Sequence, residues 1–399
     1  MTDAAREERA LREAALAASQ RADFREAARC WEALGSLGPG RPDVFFNLGD
    51  ARERLGEHAA AAEAYLAACR LAPGQARLAL FAGTALAAAG RLADAATMIS
   101  LADGLDPALL RLRDDARQHP ALRTRAASAD RILRAHFAAL HTGAVAELEA
   151  ACSPPRTLTR IRESIWVQTH PEAFRFRHPL QQPGIFYVPG LAPEPVTPAD
   201  RFGWARALEA ATAAIREEYL SALAQGTALA PYVEADVKDP RWQALRGRTA
   251  WSSLHLYKSA VEQPAARLFP RTLAAIAGAD VFRVAHERPM EVFFSRLQPG
   301  THIPPHCGVA NHRVTVHLPL IVPGGCTIRV GEHIHAWQEG ELFAFDDSFE
   351  HEAWNRGESE RVVLIFETFH PDLDAAERLA IERSYARRGE WLHGRRIPG

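Results

Sequence analysis

Pro39, Pro73 and Pro107 stand 34 residues apart, and the same step links Leu37, Leu71 and Leu105. Ala27, Ala61 and Ala95 keep it, as do Ala28, Ala62 and Ala96, and Trp31, Tyr65 and Ile99 fill a further register position. Gly49 matches Gly83 and Gly56 matches Gly90, while the first copy has Ala22 in place of that second glycine. A period of this length marks stacked pairs of antiparallel helices. The alanines let paired helices approach, the glycines permit the turn between them, and the prolines end the second helix. The first third of the chain is thereby committed to tetratricopeptide-like repeats. The helical stretch after Pro120, through ADRILRAHFAALHTGAVAELEA, is expected to cap them. Such repeats present a groove to a peptide or serve as a packing scaffold, and both readings stand at this point.

The texture changes after Ala150. Prolines crowd the region around Pro179, Pro183, Pro189, Pro193, Pro195 and Pro198, which reads as loop. One helix is expected from about Pro198 to Ala224, capped by Thr197 or Asp200. From Arg248 onward the period becomes two: WSSLHLY, VFFSRL, HRVTVHLPLIV, CTIRV, ELFAFD and RVVLIFETF are short, rich in branched and aromatic residues, and separated by turn formers. Strands of this kind predict a jelly roll. AAERLAIERSYARR returns to helix. The expected fold class is α+β and multidomain, an N-terminal α-helical tetratricopeptide-like solenoid followed by a double-stranded β-helix (jelly roll) with flanking helices. The expected domains are residues 1–118 (repeats), 119–175 (helical cap and linker) and 176–399 (jelly roll).

Charge narrows the partners. With 47 basic and 49 acidic residues the chain has a net charge of −2, which argues against a broad footprint for nucleic acid or an anionic membrane. Five scattered cysteines with no C-x-x-C pair fit a reducing compartment. The first residues have no uninterrupted apolar core, and no run of roughly 18 apolar residues occurs. A cytoplasmic protein with neither nucleic-acid nor membrane partners is expected.

Histidine carries the chemistry. His255, His302, His333 and His335 read as surface or turn residues. His306, in THIPPHCGVANHRVTVHLPL, is read as opening a strand, and His351, in FAFDDSFEHEAWN, as ending one; they lie 45 residues apart, far enough for separate strands of one jelly roll. Non-haem iron often takes two histidines and a carboxylate. The residue two after His306 is Gly308, so that carboxylate is missing. Arg361 opens the apolar run RVVLIFETF, a placement that fixes one cation in a pocket and suits a carboxylate ligand. The alternative is an edge arginine paired with Glu358 or Glu360. Asp346 and Asp347 read as turn groups or as supports behind a metal.

Residues from about Gln182 to Leu373 resemble the aspartyl/asparaginyl β-hydroxylase family of iron(II)- and 2-oxoglutarate-dependent oxygenases. IFYVPGLAP, TAWSSLHLY, the PHCG run with N-R-x-x-x-H-L after it, FDDSFEHEAWN and RVVLIFETFHPDL carry the resemblance. It implies iron held by two histidines with glycine in the acid's place. By position, His306 and His351 are then the metal ligands and the catalytic centre. The resemblance also makes Arg361 the clamp on the far carboxylate of 2-oxoglutarate, helped by Ser295, with His317 nearer the metal and Trp251 lining the site. Thr315 stands where the family has a second co-substrate arginine, and Arg313 is the stand-in. The implied activity is that of a dioxygenase using Fe(II), 2-oxoglutarate and O2 to β-hydroxylate an aspartyl or asparaginyl residue of a peptide or protein, with succinate and CO2 formed. The helical repeats would present that substrate. A non-catalytic binding scaffold with a silent jelly roll, or a hydroxylase of a lipid or small molecule, are the alternatives.

Overall fold

The 34-residue step is a step of helix pairs. The computed structural model describes residues 3–38, 40–154, 156–283 and 288–399, so Pro39 of the repeat register lies outside the described residues. Helices α1 (Asp3–Gln20) and α2 (Phe24–Ser36), α3 (Pro42–Arg54) and α4 (His58–Leu71), and α5 (Ala76–Ala88) and α6 (Leu92–Leu105) form the successive pairs. The turn inside each pair reaches the left-handed region at one register position, with φ of 58° at Ala22, 77° at Gly56 and 82° at Gly90. Gly49 and Gly83 are needed for close approach: a Cβ there would stand 2.6 Å from the Tyr65 ring and 2.6 Å from Ile99 Cγ1, respectively. Trp31, Tyr65 and Ile99 are buried accordingly.

A short helix α7 (Ala108–Arg111) leads to the long helix α8 (Pro120–Ala151). The chain forms two compact units, one of residues 1–140, 169–171 and 388–399, the other of residues 141–168 and 172–387. In the first, Ala129, Leu133 and Phe137 of α8 join the core built by α4, α5 and α6. Arg125 seals the same surface. Its guanidinium bonds both oxygens of Glu53 at 2.6 and 2.8 Å and lies 3.9 Å from the Phe81 ring centre. Phe46, Tyr65 and Phe81 form the aromatic triad beneath it, with centroids 5.0–5.6 Å apart.

The second unit contains α9 (Thr159–Arg162), α10 (Ala205–Ala210), α11 (Thr212–Ala224), α12 (Pro270–Ala277) and most of α13 (Ala375–Gly394). The single helix expected over 198–224 is therefore two, broken at Ala211, where the Thr212 hydroxyl donates to the Glu209 carbonyl. Strands β1 (Ile165–Trp166) and β2 (Phe186–Tyr187) form a small ribbon. The others are β3 (Val196–Thr197), β4 (Ala230–Pro231), β5 (Trp251–Lys258), β6 (Val261–Glu262), β7 (Glu291–Leu297), β8 (His302–His306), β9 (Arg313–Ile321), β10 (Cys326–Val330), β11 (His333–Ala336), β12 (Phe343–Phe345), β13 (His351–Asn355) and β14 (Arg361–Phe369).

These strands make a jelly roll of two antiparallel sheets. The major sheet runs β3-β12-β9-β14-β7-β5-β4 with β6 on β5, and the minor sheet runs β11-β10-β13-β8. The major sheet is buried on both faces, which is why β14 reads as a near-continuous apolar run. Val314, Val316 and Leu318 of β9, Val362, Leu364 and Phe366 of β14, and Val292 and Phe294 of β7 pack outward on Leu208, Ile215, Tyr219 and Ile276 of α10, α11 and α12. The alternate residues face the minor sheet. Every polar residue of interest in β7, β9 and β14 lies on that inner side.

Candidate active site

Between the sheets lies a cavity of about 290 Å³. His306 closes β8 and His351 opens β13, the reverse of the strand ends expected from sequence. Pro304 and Pro305 suggest a turn, yet β8 keeps them because it is the edge strand of the minor sheet. His306 and His351 are direct cross-strand partners, with ring centroids 4.1 Å apart. Each Nδ1 is bonded to a main-chain carbonyl, His306 to Pro304 at 2.8 Å and His351 to Phe349 at 2.9 Å. As donors to those carbonyls, both Nδ1 atoms carry the proton, and each Nε2 keeps its lone pair. Burial pushes His306 down to about 3 and His351 down to about 4, so both rings are neutral near pH 7. Two neutral, preset imidazoles side by side fit a divalent transition metal.

Gly308 also has a structural cause. A Cβ built there would fall inside the Asp347 carboxylate, and the Gly308 amide donates to the Asp347 carbonyl at 2.6 Å. The space a carboxylate at 308 would fill is taken by a carboxylate from another loop. Asp347 is raised by burial, against which the positive charge of Arg313 and a hydrogen bond from Thr315 act. Among the described residues, no set of three His, Cys, Asp or Glu side chains converges as metal ligands.

At the closed end of the cavity stands Arg361, only 1% exposed. Neither Glu358 nor Glu360 pairs with it; Glu360 faces Arg296 at 3.6 Å. The guanidinium lies 4.7 Å from the Trp337 ring centre, and among the described residues its Nε and Nη1 have no hydrogen-bond partner. Burial pulls it down to about 10, because the surrounding side chains solvate the charge poorly. Ser295, one strand away on β7, accepts from Trp251 Nε1 at 3.1 Å, which leaves its own hydroxyl proton to donate. His317 and Trp337 line the same end, each with a buried ring nitrogen unpartnered. Burial and the nearby Arg361 charge hold His317 far below the ordinary range. Donors from Arg361, Ser295 and Trp337 thus converge with no carboxylate among them, a cradle for an anionic oxygen group.

Arg313 also reaches the cavity, from the same face of β9 as Thr315 and His317. Its guanidinium is engaged by Glu367, at 3.0 Å. Glu367 and Glu291 are functional candidates the sequence did not expose: both line the cavity on strands that read as apolar. The other histidines divide. His302 stacks on Trp354 and bonds Glu352 at 2.9 Å on the outside, and His335 stacks on Phe343. His255 is neither a surface nor a turn residue; it lies within β5, stacked on Phe293, with Glu291 3.5 Å away.

Residues 209–371 match the model of the aspartyl/asparaginyl beta-hydroxylase family. The mouse aspartyl/asparaginyl beta-hydroxylase is 33% identical over 144 residues, which cover 36% of this chain and 19% of the mouse protein. An ornithine lipid ester-linked acyl 2-hydroxylase of Rhizobium tropici is 33% identical over 187 residues, 45% of this chain and 62% of that protein. Human aspartate beta-hydroxylase domain-containing protein 1 is 31% identical over 212 residues, 52% of each chain. The chain therefore spans between 19% and 62% of the length of these relatives. The matched segment holds the histidine pair, the unpaired arginine and most of the walls between them. Over residues 209–371, the chain is therefore similar to the aspartyl/asparaginyl β-hydroxylase family.

Proposed function

We propose that the cavity is the active site of an iron(II)- and 2-oxoglutarate-dependent hydroxylase. The observation that carries this reading is Arg361, a fully buried cation with no anion beside it among the described residues, at one end of a cavity whose wall bears two adjacent neutral imidazoles. A dicarboxylic co-substrate satisfies both features at once. His306 and His351 would hold the metal through Nε2. Arg361 and the Ser295 hydroxyl would fix the far carboxylate, and His317 and Trp337 would flank the carbon chain. Positioning by charge-assisted hydrogen bonds in a dry pocket is the protein's contribution. When bound, ferrous iron with 2-oxoglutarate and O2 supplies the oxidising power that turns C–H into C–OH, with succinate and CO2 as co-products. Ile303, Ile328, Phe345, Ala353 and Ile365 exclude water around that centre.

The family points to an aspartyl or asparaginyl side chain of a peptide as the carbon oxidised. The helix pairs of the first unit act as a self-filled structural element in this reading, because Arg125 already covers the aromatic triad. Among the described residues no helix is long and apolar enough to cross a membrane. The test is succinate formation from 2-oxoglutarate with Fe(II) in air, compared between the wild type and His351→Ala. Loss of succinate in the variant is expected. Equal succinate from both proteins would remove the assignment of the histidine pair.

A further inference from the structure

The end of the cavity opposite Arg361 is acidic and aromatic. Glu367 lies six residues along β14 from Arg361, about 20 Å at the rise of a strand, so a five-carbon diacid anchored at Arg361 ends well short of it. Glu291 is its neighbour on β7, on the same face, because Phe366 pairs with Val292. Three carboxylates, those of Glu291, Asp347 and Glu367, line the cavity around the single guanidinium of Arg313. Among the described residues Asp347 Oδ1 is a buried acceptor without a hydrogen-bond partner, and Glu367 Oε2 has the Arg313 guanidinium 3.0 Å away as its ion-pair partner. Thr315, on the same wall, brings no charge.

Aromatic rings complete this end. Tyr232 stacks on Trp251 with centroids 4.0 Å apart and stands 5.5 Å from Phe293, on which His255 stacks in turn at 4.8 Å. Burial holds His255 down to about 4, so it adds a neutral face and no positive charge. Lys258, the nearest exposed cation on β5, is bound to Glu234 at 2.8 Å. Tyr232 is 38% exposed, which marks this end as the mouth. Carboxylates beside aromatic faces attract an ammonium or a guanidinium, and repel a carboxylate. The buried acids crowd one another: burial raises Glu291 and Glu367, the Glu367 charge raises Glu291 further, and the Asp347 charge raises Glu367 against the pull of Arg313.

We propose that the second ligand of this cavity carries a cationic group, an ammonium or guanidinium, seated between Glu367, Glu291 and the Tyr232–Phe293 wall. The inference rests on the hydroxylase reading of the same cavity and specifies its substrate class: a basic side chain, or the free basic amino acid, in place of an aspartyl residue. Arg313, which on charge alone would hold a substrate carboxylate, is here a partner of Glu367.

Calorimetric titration of the full-length protein loaded with Mn(II) and 2-oxoglutarate tests it without turnover. The probes are the N-acetyl amides of arginine, lysine, aspartate and asparagine, with free L-arginine and L-lysine as separate arms. The basic probes are expected to bind at least tenfold more tightly than the aspartyl and asparaginyl probes. Glu367→Gln should reduce that preference about tenfold. Glu291→Gln, whose side chain is partly exposed and whose amide oxygen still accepts from Ser259, should do the same without disturbing the buried Arg313 pair. Tighter binding of the acetylated amides assigns a peptide residue, and tighter binding of the free amino acids a small molecule. Preference for the aspartyl or asparaginyl probe, equal binding of all, no binding of any, or a preference unmoved by Glu291→Gln overturns the proposal. Binding of 2-oxoglutarate in the first step is a separate reading: its absence would sink the hydroxylase assignment, while the basic probes on the ligand-free protein would still report on the acidic end.

Discussion

Replacing Arg361 by methionine should make the ligand-free protein more stable and the liganded protein less so. The guanidinium is 1% exposed and without an ion-pair partner among the described residues, and burial lowers it from the ordinary arginine range to about 10. At about 1.4 kcal/mol per unit, the burial disfavours the charge by roughly 3 kcal/mol. The Trp337 face returns about 1–2 kcal/mol. Methionine matches much of the length and needs no partner, so Arg361→Met is expected to gain roughly 1–3 kcal/mol without ligand. The same change removes the charged partner of a carboxylate, a loss of about 2–5 kcal/mol, or roughly 30- to 4,000-fold in affinity. Thermal unfolding with Mn(II), with and without saturating 2-oxoglutarate, measures both terms. The wild type should gain stability on adding 2-oxoglutarate, by about 2.7 kcal/mol at a hundredfold excess over the dissociation constant. The variant should start higher and gain almost nothing. A variant that is less stable without ligand and still responds to 2-oxoglutarate would refute the reasoning, since Arg361 would then be a structural residue.

Three further outcomes are expected. Gly308→Asp should destabilise the jelly roll by roughly 2–3 kcal/mol or more in urea unfolding, through overpacking and like charge against Asp347, and Asp347→Gly in the same chain should restore most of the loss; a tolerated single variant would show that the two positions do not compete for one space. Asp346, raised from 3.8 to about 7 mainly by burial, keeps its proton in the folded state where the unfolded chain has released it, so wild-type stability should fall as pH rises from about 4 to 7, by up to roughly 4 kcal/mol, and Asp346→Asn should flatten that slope in unfolding curves at pH 5 and 7.5. Ala22→Gly should change stability by roughly 0–1 kcal/mol in the favourable direction while Gly56→Ala loses about 1–2 kcal/mol, because both sites hold positive φ; equal and opposite thermal shifts are not required, but a stabilising Gly56→Ala would contradict the geometry.

The repeat and the strands were legible because their signals are periodic. Ala22, Gly56 and Gly90 share one register and one backbone geometry, and only the first shows that alanine can be strained into it. The polar exceptions in apolar strands were equally telling. Ser295, Arg313, Thr315, His317 and Arg361 fall on the parity opposite to the residues that meet α10, α11 and α12, and the structure gathers them in one cavity. What sequence concealed is pairing across strands. Nothing local announces that Glu367 meets Arg313, or that Asp347 fills the space beside Gly308. The strand ends at His306 and His351 were reversed because sequence alternation marks a strand's face and not its ends: β8 runs through Pro304 and Pro305 to end on His306, and β13 begins at His351. The break at Ala211 lacks both glycine and proline, so helical periodicity ran straight through it.

Arg125 has a consequence for how the chain can be divided. A fragment ending at residue 118 would strip Arg125, Ala129, Leu133 and Phe137 from the surface they cover and leave Phe46, Tyr65 and Phe81 facing water. Sticky rings of that kind favour self-association. Extending the fragment to residue 140 retains the lid, and with it the solubility that the shorter piece would lack.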